Sequence, residues 1–409
     1  MNNTAVLHFS TFSPYLLARL RACQRLDEFR VVGLESTDRQ NPGQEFFTFS
    51  DNARSEVGLK TACPGLTHSE VTPSLLRRNL HSALDDLNPI AVAMPAWSAK
   101  STLAVLSWCL KRRVPAITLS DSMYSDKRRS FITEAVKRLV VQHFGGAVVA
   151  GPAQREYLVH LGMRLEQTFI GYDVVDNEYF SSAAAEARRN ADTLRRSLQL
   201  PRDYFLANSR FIQKKNLCGL LSEYGLYRQS AAKLKAGLVI VGDGPLREQV
   251  RQLARELDLD DYVLFVGTKT YLELPPLYAL ARAFVHASTT EQWGLVVNEA
   301  MASGLPVAVS DRCGCAANLV SPGVNGFTFN PSKRGDLAAC LELLSGDSGA
   351  VAKMGRRSQA IVAYWSPDLF AVALGDACRL AVHRGASKIR WADQALLSLL
   401  SRRQHNSPD

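Results

Sequence analysis

No uncharged apolar run in the 409 residues approaches the ~18 needed for a membrane-spanning helix, and the apolar opening TAVLHFSTF has no basic region before it. The chain is therefore read as cytoplasmic. Its eight cysteines are scattered, with only Cys313 and Cys315 close together. That pattern indicates neither a disulfide framework nor a four-cysteine zinc site, and Cys313-Gly-Cys315 is read as a pair of loop thiols in preference to a metal site. Repeats and low-complexity tracts are missing, and the polar tail, RRQHNSPD, is short. No G-x-G-x-x-G follows the first apolar run, which disfavours an oxidoreductase carrying a dinucleotide fingerprint.

What is present is ordinary for a globular chain: 46% hydrophobic and 21% charged residues. The length exceeds the ~250–300 residues at which single cores stop growing, so two domains are expected. The net charge of +9 is unevenly spread, with Lys111, Arg112, Arg113, Lys127, Arg128, Arg129, Lys137 and Arg138 in one segment. Such a cluster is either a set of solvated faces or a surface for anionic lipid or a phosphorylated acceptor. It lacks the interleaved aromatics that stack nucleic-acid bases, so no nucleic-acid partner is expected.

Short β-rich apolar runs alternate with helical patterns, the signature of parallel sheets with crossover helices. The first series is AVLHF, FRVVGLE, IAVAM, PAITLS and GAVVAG; the second is YFLANS, AGLVIVGD, VLFVG, AFVHAS and PVAVSD. A polar, Ala/Arg-rich segment separates them, which puts the domain boundary near Gly171. Two doubly wound sheets imply ligands at the carboxyl ends of strands, in a cleft.

Candidate chemistry collects in the second series. YFLANSRFIQKKNLCGLL reads as strand, turn and helix, with Arg210 at the strand's carboxyl end and Lys215 near the helix start. In VIVGDGPLREQV, Gly242 and Gly244 permit a tight turn and Pro245 opens the next helix. AFVHASTTEQWGLVVNEAMASG then reads as a strand, a polar loop and a helix from about Gly294 to Ser303. The free N–H groups at such a helix start suit phosphate, and those near Gly294 and Leu295 are the candidates. Helical side chains lean toward the N-terminus, so Glu299 would reach a ribose beside the seated diphosphate, and Glu291 in the loop would face the sugar. His286 either lines the cleft or is a satisfied strand-end residue; Trp293 either packs beside the donor or anchors the helix. The amphipathic ADQALLSLLSRR is expected to pack on the first domain rather than on a membrane.

The order of these elements resembles the carboxyl-terminal domain of family four (group 1) retaining glycosyltransferases, which have the GT-B fold. Arg and Lys follow one strand, GDGP the next, and E-x-W-G-L-x-x-x-E precedes a third; GYDVVDNEYF, VLFVG, SGLPVAVSD, GVNGFTFNP and YWSPDLF extend the match over roughly residues 145–370. The resemblance implies two Rossmann-like domains: an acceptor-side one over 1–171, completed by about 380–409, and a nucleotide-sugar-binding one over 172–379. It implies that Arg210 and Lys215 grip the donor diphosphate, that Glu299 binds the ribose and that Glu291 contacts the transferred sugar. Gly242, Gly267, Trp293 and the backbone at Gly294, Leu295 and Val296 complete the implied donor site. Transfer would proceed with retention and without a metal or other cofactor, consistent with the absence of an Asp-x-Asp element in a suitable loop. The expected acceptor is a glycan, a lipid-linked sugar or a small molecule; peripheral contact with the inner face of an anionic membrane is the reading of the basic segment 111–138 if that segment is more than a set of solvated faces. Other readings are an epimerase or phosphorylase of the same fold, or a non-catalytic nucleotide-sugar-binding subunit.

Two places depart from the family pattern. The loop after the first strand, HFSTFSPYLL, has Ser10, Thr11 and Ser13 but no glycine. After PAITL, where many members place a histidine, the chain has Ser120, Asp121 and Ser122; Asp121 either meets an acceptor hydroxyl or the sugar as a catalytic group, or caps a turn.

Overall fold

The computed structural model describes residues 3–40, 51–95, 99–126, 129–232 and 234–387, together with Leu397 and Leu400. The chain divides into two units, residues 1–174 with 367–409, and residues 175–366.

The first unit is built on a sheet of seven strands: β1 (Thr4–Phe9), β2 (Arg30–Thr37), β3 (Lys60–Cys63), β4 (Ala91–Pro95), β5 (Ala116–Ser120), β6 (Gly146–Val149) and β7 (Thr168–Ile170). Their order is β3-β2-β1-β4-β5-β6-β7, and every pairing is parallel. Helices cover the faces, so the central strands are apolar on both sides and read as continuous hydrophobic runs. The helix Pro73–Leu87 shows the other periodicity. Thr72 caps it by accepting the Leu75 N–H, Pro73 fills its first turn, and Leu76, Leu80 and Leu84, four residues apart, enter the core. The edge strands β3 and β7 were not among the expected runs; KTAC and TFI are too short and too polar to show a period.

Expected at about residue 380, the return to the first unit falls instead at Pro367, and the whole helix Pro367–Arg384 belongs to that unit. Small residues make this packing close: a Cβ on Gly145 would lie 3.0 Å from Ala381 Cβ. The junction at residue 174 is held by Arg19, which is buried, donates to the Val174 carbonyl at 3.0 Å and lies over the rings of Tyr172 and Phe370. Of the terminal amphipathic segment, Leu397 is buried in the core of this unit and Leu400 packs against it; its other residues lie outside the described ones.

The second unit has six parallel strands: β8 (Tyr204–Asn208), β9 (Gly237–Val241), β10 (Val263–Gly267), β11 (Ala283–His286), β12 (Val307–Ser310) and β13 (Gly326–Phe329). The order is β10-β9-β8-β11-β12-β13. Winding reverses between β8 and β11, which pair side by side through Ala283↔Phe205 and Phe284↔Leu206. In an open parallel sheet, the crevice outside the carboxyl ends of two such strands is where ligands are held. Arg210 and Lys215 follow β8; Glu291 follows β11.

Candidate active site

The segment after β8 runs through Arg210 into a single 3-10 turn, Gln213–Lys215, and the helix Leu217–Gln229 begins after Asn216, whose φ is 54°. The segment after β11 leads through Glu291 to the helix Leu295–Ala302. The two segments are tied together: Thr289 N–H donates to the Lys214 carbonyl at 2.8 Å, and the Asn216 side-chain amide donates to the Ala287 carbonyl at 3.2 Å. This pairing carries the Lys215 ammonium onto the Glu291 carboxylate, with only 12% of each side chain exposed.

Glu291 has further donors. The Ser288 hydroxyl donates to its Oε2 at 3.2 Å, and His286 Nε2 lies 3.3 Å from the same oxygen. Burial by itself would raise the carboxyl, but the His286 hydrogen bond and the Lys215 charge outweigh it and hold Glu291 well below the usual carboxylate range. His286 is wholly buried; desolvation lowers its pKa and the hydrogen bond to Glu291 offsets part of that. An ionised carboxylate only accepts, so a neutral His286 serves Glu291 through the tautomer with its proton on Nε2. The loop backbone is pinned from the other side: Gly314 N–H donates to the Glu291 carbonyl at 2.9 Å and Cys315 N–H to the Trp293 carbonyl at 3.2 Å. Cys313 and Cys315 are therefore buried thiols of a supporting loop.

The helix after this loop begins at Leu295, with Gly294 in a left-handed conformation (φ 107°) as its N-cap. Its first intrahelical bond is Val297 N–H to the Gly294 carbonyl, 2.9 Å. The N–H groups of Leu295 and Val296 thus lie in the first turn, which has no intrahelical acceptors to offer them. Gly294, Leu295 and Val296 are half-buried, so this helix end is open to a ligand.

Arg210 is exposed, and the loop bearing it is fixed by the GDG turn. Phe211 N–H donates to the Asp243 carbonyl at 2.8 Å and Ser209 N–H to the Val241 carbonyl at 3.1 Å. A Cβ on Gly242 would fall 2.0 Å from Ser209 O, and one on Gly244 would fall 2.8 Å from Phe211 O. The close approach that requires glycine at 242 is thus with the Arg210 loop. Gly267, at φ 70°, has open space around its Cβ direction, and its carbonyl accepts the Gly242 N–H at 2.9 Å.

Two further expectations change. Trp293 does not offer its ring to a donor: it is buried, its centroid lies 5.0 Å from that of Trp365, and its Nε1–H donates to Asn298 Oδ1 at 3.1 Å, so it anchors the helix. Glu299 has no exposed surface and accepts the Tyr278 hydroxyl at 2.6 Å, while Asn208 donates to that hydroxyl at 3.1 Å. Its register on the helix is as expected, but its carboxylate is engaged within the unit. Ser288 and Tyr278 were not singled out from sequence, and His286 was read there only as lining the cleft or as a satisfied strand-end residue. The one available signal was the polar pair His286 and Ser288 at the carboxyl end of an otherwise apolar strand.

In the first unit, Asp121 is half-buried in the loop after β5. The glycine-free loop after β1 is closed by hydroxyls: Thr11 donates to the Thr37 carbonyl at 3.2 Å and Ser10 Oγ lies 3.1 Å from Ser101 Oγ. The basic segment is partly neutralised within the unit. Arg112 pairs with Asp85, Arg129 with Asp126, and Lys137 with Glu134; Lys127 and Arg128 lie outside the described residues. On the helix Phe131–Val141 the sole carboxylate, Glu134, is buried against Lys137 and the Tyr157 hydroxyl. The outward face carries Phe131, 89% exposed, Ile132, 75% exposed, Leu139 and Arg138.

Comparison with known proteins bears on the fold and on family resemblance. The family described as Glycosyl transferases group 1 matches residues 190–360. The chain is 38% identical over 113 residues to the sulfoquinovosyl transferase SQD2 of Arabidopsis thaliana, covering 27% of this chain and 21% of that protein. It is 34% identical over 152 residues to a GDP-mannose-dependent alpha-(1-6)-phosphatidylinositol monomannoside mannosyltransferase of Mycobacterium tuberculosis, covering 35% and 39%. These alignments therefore span 21–39% of the relatives' own length. Among solved structures, Anabaena Alr3699/HepE in complex with UDP and glucose superposes with a TM-score of 0.69 at 19% identity, covering 91% of this chain and 98% of that one. A sucrose-phosphate synthase from Thermosynechococcus elongatus also gives a TM-score of 0.69, at 17% identity over 92% and 98%. The architecture is that of the GT-B fold, and residues 190–360 are similar to the glycosyl transferases group 1 family.

Proposed function

We propose that the protein transfers a sugar from a nucleotide-sugar donor to an acceptor, with retention of anomeric configuration and without a metal. The observation that carries this reading is the convergence at the β8/β11 switch point of Lys215, Glu291 and the open helix end at Gly294–Val296, with Arg210 exposed on the same segment after β8. Cleaving a glycosyl–phosphate bond builds negative charge on the departing nucleotide and positive charge on the sugar. Arg210, Lys215 and the helix N–H groups would stabilise the former, and ionised Glu291 the latter, without reorganising. A bound diphosphate would take the Lys215 ammonium from Glu291 and free the carboxylate to meet the sugar. Acceptor attack from the leaving-group side needs no protein nucleophile and leaves the configuration retained.

The acceptor reading is a lipid or lipid-linked sugar at an anionic membrane. It is supported by the outward face of the helix Phe131–Val141, which is apolar and basic with its carboxylate turned inward, and by relatives named for lipid products. A face of this kind lies in the headgroup boundary of anionic bilayers. None of the helices among the described residues is long and apolar enough to cross a membrane.

A screen of nucleotide sugars by thermal stabilisation, followed by turnover with and without lipid acceptor, tests the reading. A ligand at 100 times its dissociation constant adds ~2.7 kcal/mol of stability. The donor that stabilises the protein should be consumed only when acceptor is present. Stabilisation by none of them, or equal consumption without acceptor, would refute transfer. Vesicles of anionic lipid should bind the protein, and Phe131→Ser with Ile132→Ser should weaken that binding about tenfold or more. Equal binding to neutral vesicles, or no effect of the double substitution, would refute the membrane contact.

A further inference from the structure

His286 ends β11 with its ring fully buried, yet its Nε2 is directed at the one carboxylate that the proposed site holds ready for the sugar. Three observations meet at this atom. It lies 3.3 Å from Glu291 Oε2; it lies 3.3 Å from the Ser288 hydroxyl, which itself donates to Glu291; and a Cβ on Gly294 would sit 3.5 Å from it, so the ring underlies the N-cap of the helix Leu295–Ala302. On its other side the ring stacks on Phe284, with centroids 6.3 Å apart and planes 14° apart, which fixes its orientation. The ring is thus a rigid strut between the sheet and the two functional parts of the site.

We propose that His286 is a positioning residue for glycosyl transfer, its Nε2–H holding the Glu291 carboxylate in place beside Lys215 and beneath Gly294. The inference rests on the transferase reading of this site. Glu291 is flexible about three side-chain bonds, and a bound diphosphate competes for Lys215. When Lys215 turns to the diphosphate, His286 and Ser288 are the donors that keep the carboxylate aimed and charged. The groups facing this carboxylate are Lys215 from the turn after β8, His286 and Ser288 from the end of β11, and the Cys313 thiol from the loop after β12, with Asp311 acting on that thiol. Burial pushes Cys313 up, so it stays neutral and leaves His286 and Lys215 as the groups that set the charge of Glu291. A structural histidine would matter to stability alone. A positioning one also sets where the acid limb of turnover falls, because that limb reports protonation of Glu291.

The experiment compares kcat, donor KM, nucleoside diphosphate affinity and the pH profile of kcat in wild type, His286→Leu and His286→Gln. Gln places an amide N–H near the Nε2 position; Leu does not. In His286→Leu, kcat should fall about tenfold at pH 7 and the acid limb should rise by about one pH unit, as for loss of one hydrogen bond to a charged group. Donor KM and diphosphate affinity should be unchanged, and His286→Gln should restore both kcat and the limb. If the Leu variant does not fold, His286→Asn, whose amide reaches the Nδ1 position only, replaces it with the same expectation. An acid limb superimposable on wild type, a failure of Gln to restore it, or a parallel loss of diphosphate affinity would overturn the inference while leaving the transferase reading intact. A wild-type protein that turns over no nucleotide sugar would overturn both.

Discussion

Gly242→Ala is the substitution for which the structure sets the magnitude most directly. The added Cβ would start 2.0 Å from Ser209 O, and ordinary contact begins at about 3.4 Å, so one of the two backbones must retreat by about 1.4 Å. The φ of 121° at this position adds a left-handed penalty of roughly 1–2 kcal/mol for a residue with a Cβ. Overpacking against immobile backbone costs about 1–3 kcal/mol more. A loss of roughly 2–5 kcal/mol is expected, a large share of the stability of an ordinary domain. The segment that must move carries Arg210, and a misplacement of about 1 Å at a reacting group lowers turnover ~10²-fold. Gly267→Ala is the control: its φ of 70° carries the left-handed penalty, but nothing lies within 4 Å of its Cβ. Urea unfolding of both full-length variants, with turnover of the donor identified for the wild type, separates the two terms. If Gly242→Ala proves no less stable than Gly267→Ala, the close approach of the two loops is not what requires glycine, and the account of how Arg210 is held fails.

Lys215→Ala should lower turnover ~10²-fold or more in a folded protein, as for removal of a group aimed at developing charge, and an unchanged initial rate would remove Lys215 from the diphosphate site. Chelation with EDTA should leave turnover largely intact, whereas loss restored by magnesium or manganese would refute metal-free transfer. Because the folded Glu291 carboxyl is held below its unfolded value, it contributes stability that is present above the ~4.3 of a free glutamate and is lost as the pH falls below that value. Wild type should therefore lose more stability than Glu291→Gln between pH 6 and 3 in urea titrations, and parallel curves would contradict the ion pair. Glu291→Gln should lower turnover while leaving nucleoside diphosphate binding intact in calorimetry; a parallel loss of that binding would place Glu291 at the diphosphate and not at the sugar.

The candidate site was partly legible in the sequence because its parts follow individual strands. Arg210 after YFLAN, the glycines after GLVIV and Glu291 after AFVH could each be placed at a carboxyl strand end by local pattern alone. What those residues touch could not be read in this way. Lys215 and Glu291 are 76 positions apart, and only the adjacency of β8 and β11 in the sheet brings them together. Trp365, the partner that makes Trp293 an anchor, arrives from the far end of the unit. Edge strands β3, β7 and β13 are too brief for a period to emerge, and they exist because a neighbouring strand offers its hydrogen bonds.

By itself, then, the sequence determined the alternation of buried parallel strands and crossover helices, the division into two units near residue 171, and the chemical types available at the second sheet's carboxyl end. These follow from hydrophobic periodicity and turn residues, which act over a few positions. Tertiary structure decided the rest: that Gly242 makes room for a loop, that Glu299 meets Tyr278, that the chain returns to the first unit at Pro367, and that a buried histidine stands behind Glu291. Each of these depends on which distant groups share a low-dielectric, close-packed space, and there contact and desolvation, not local pattern, set position and charge.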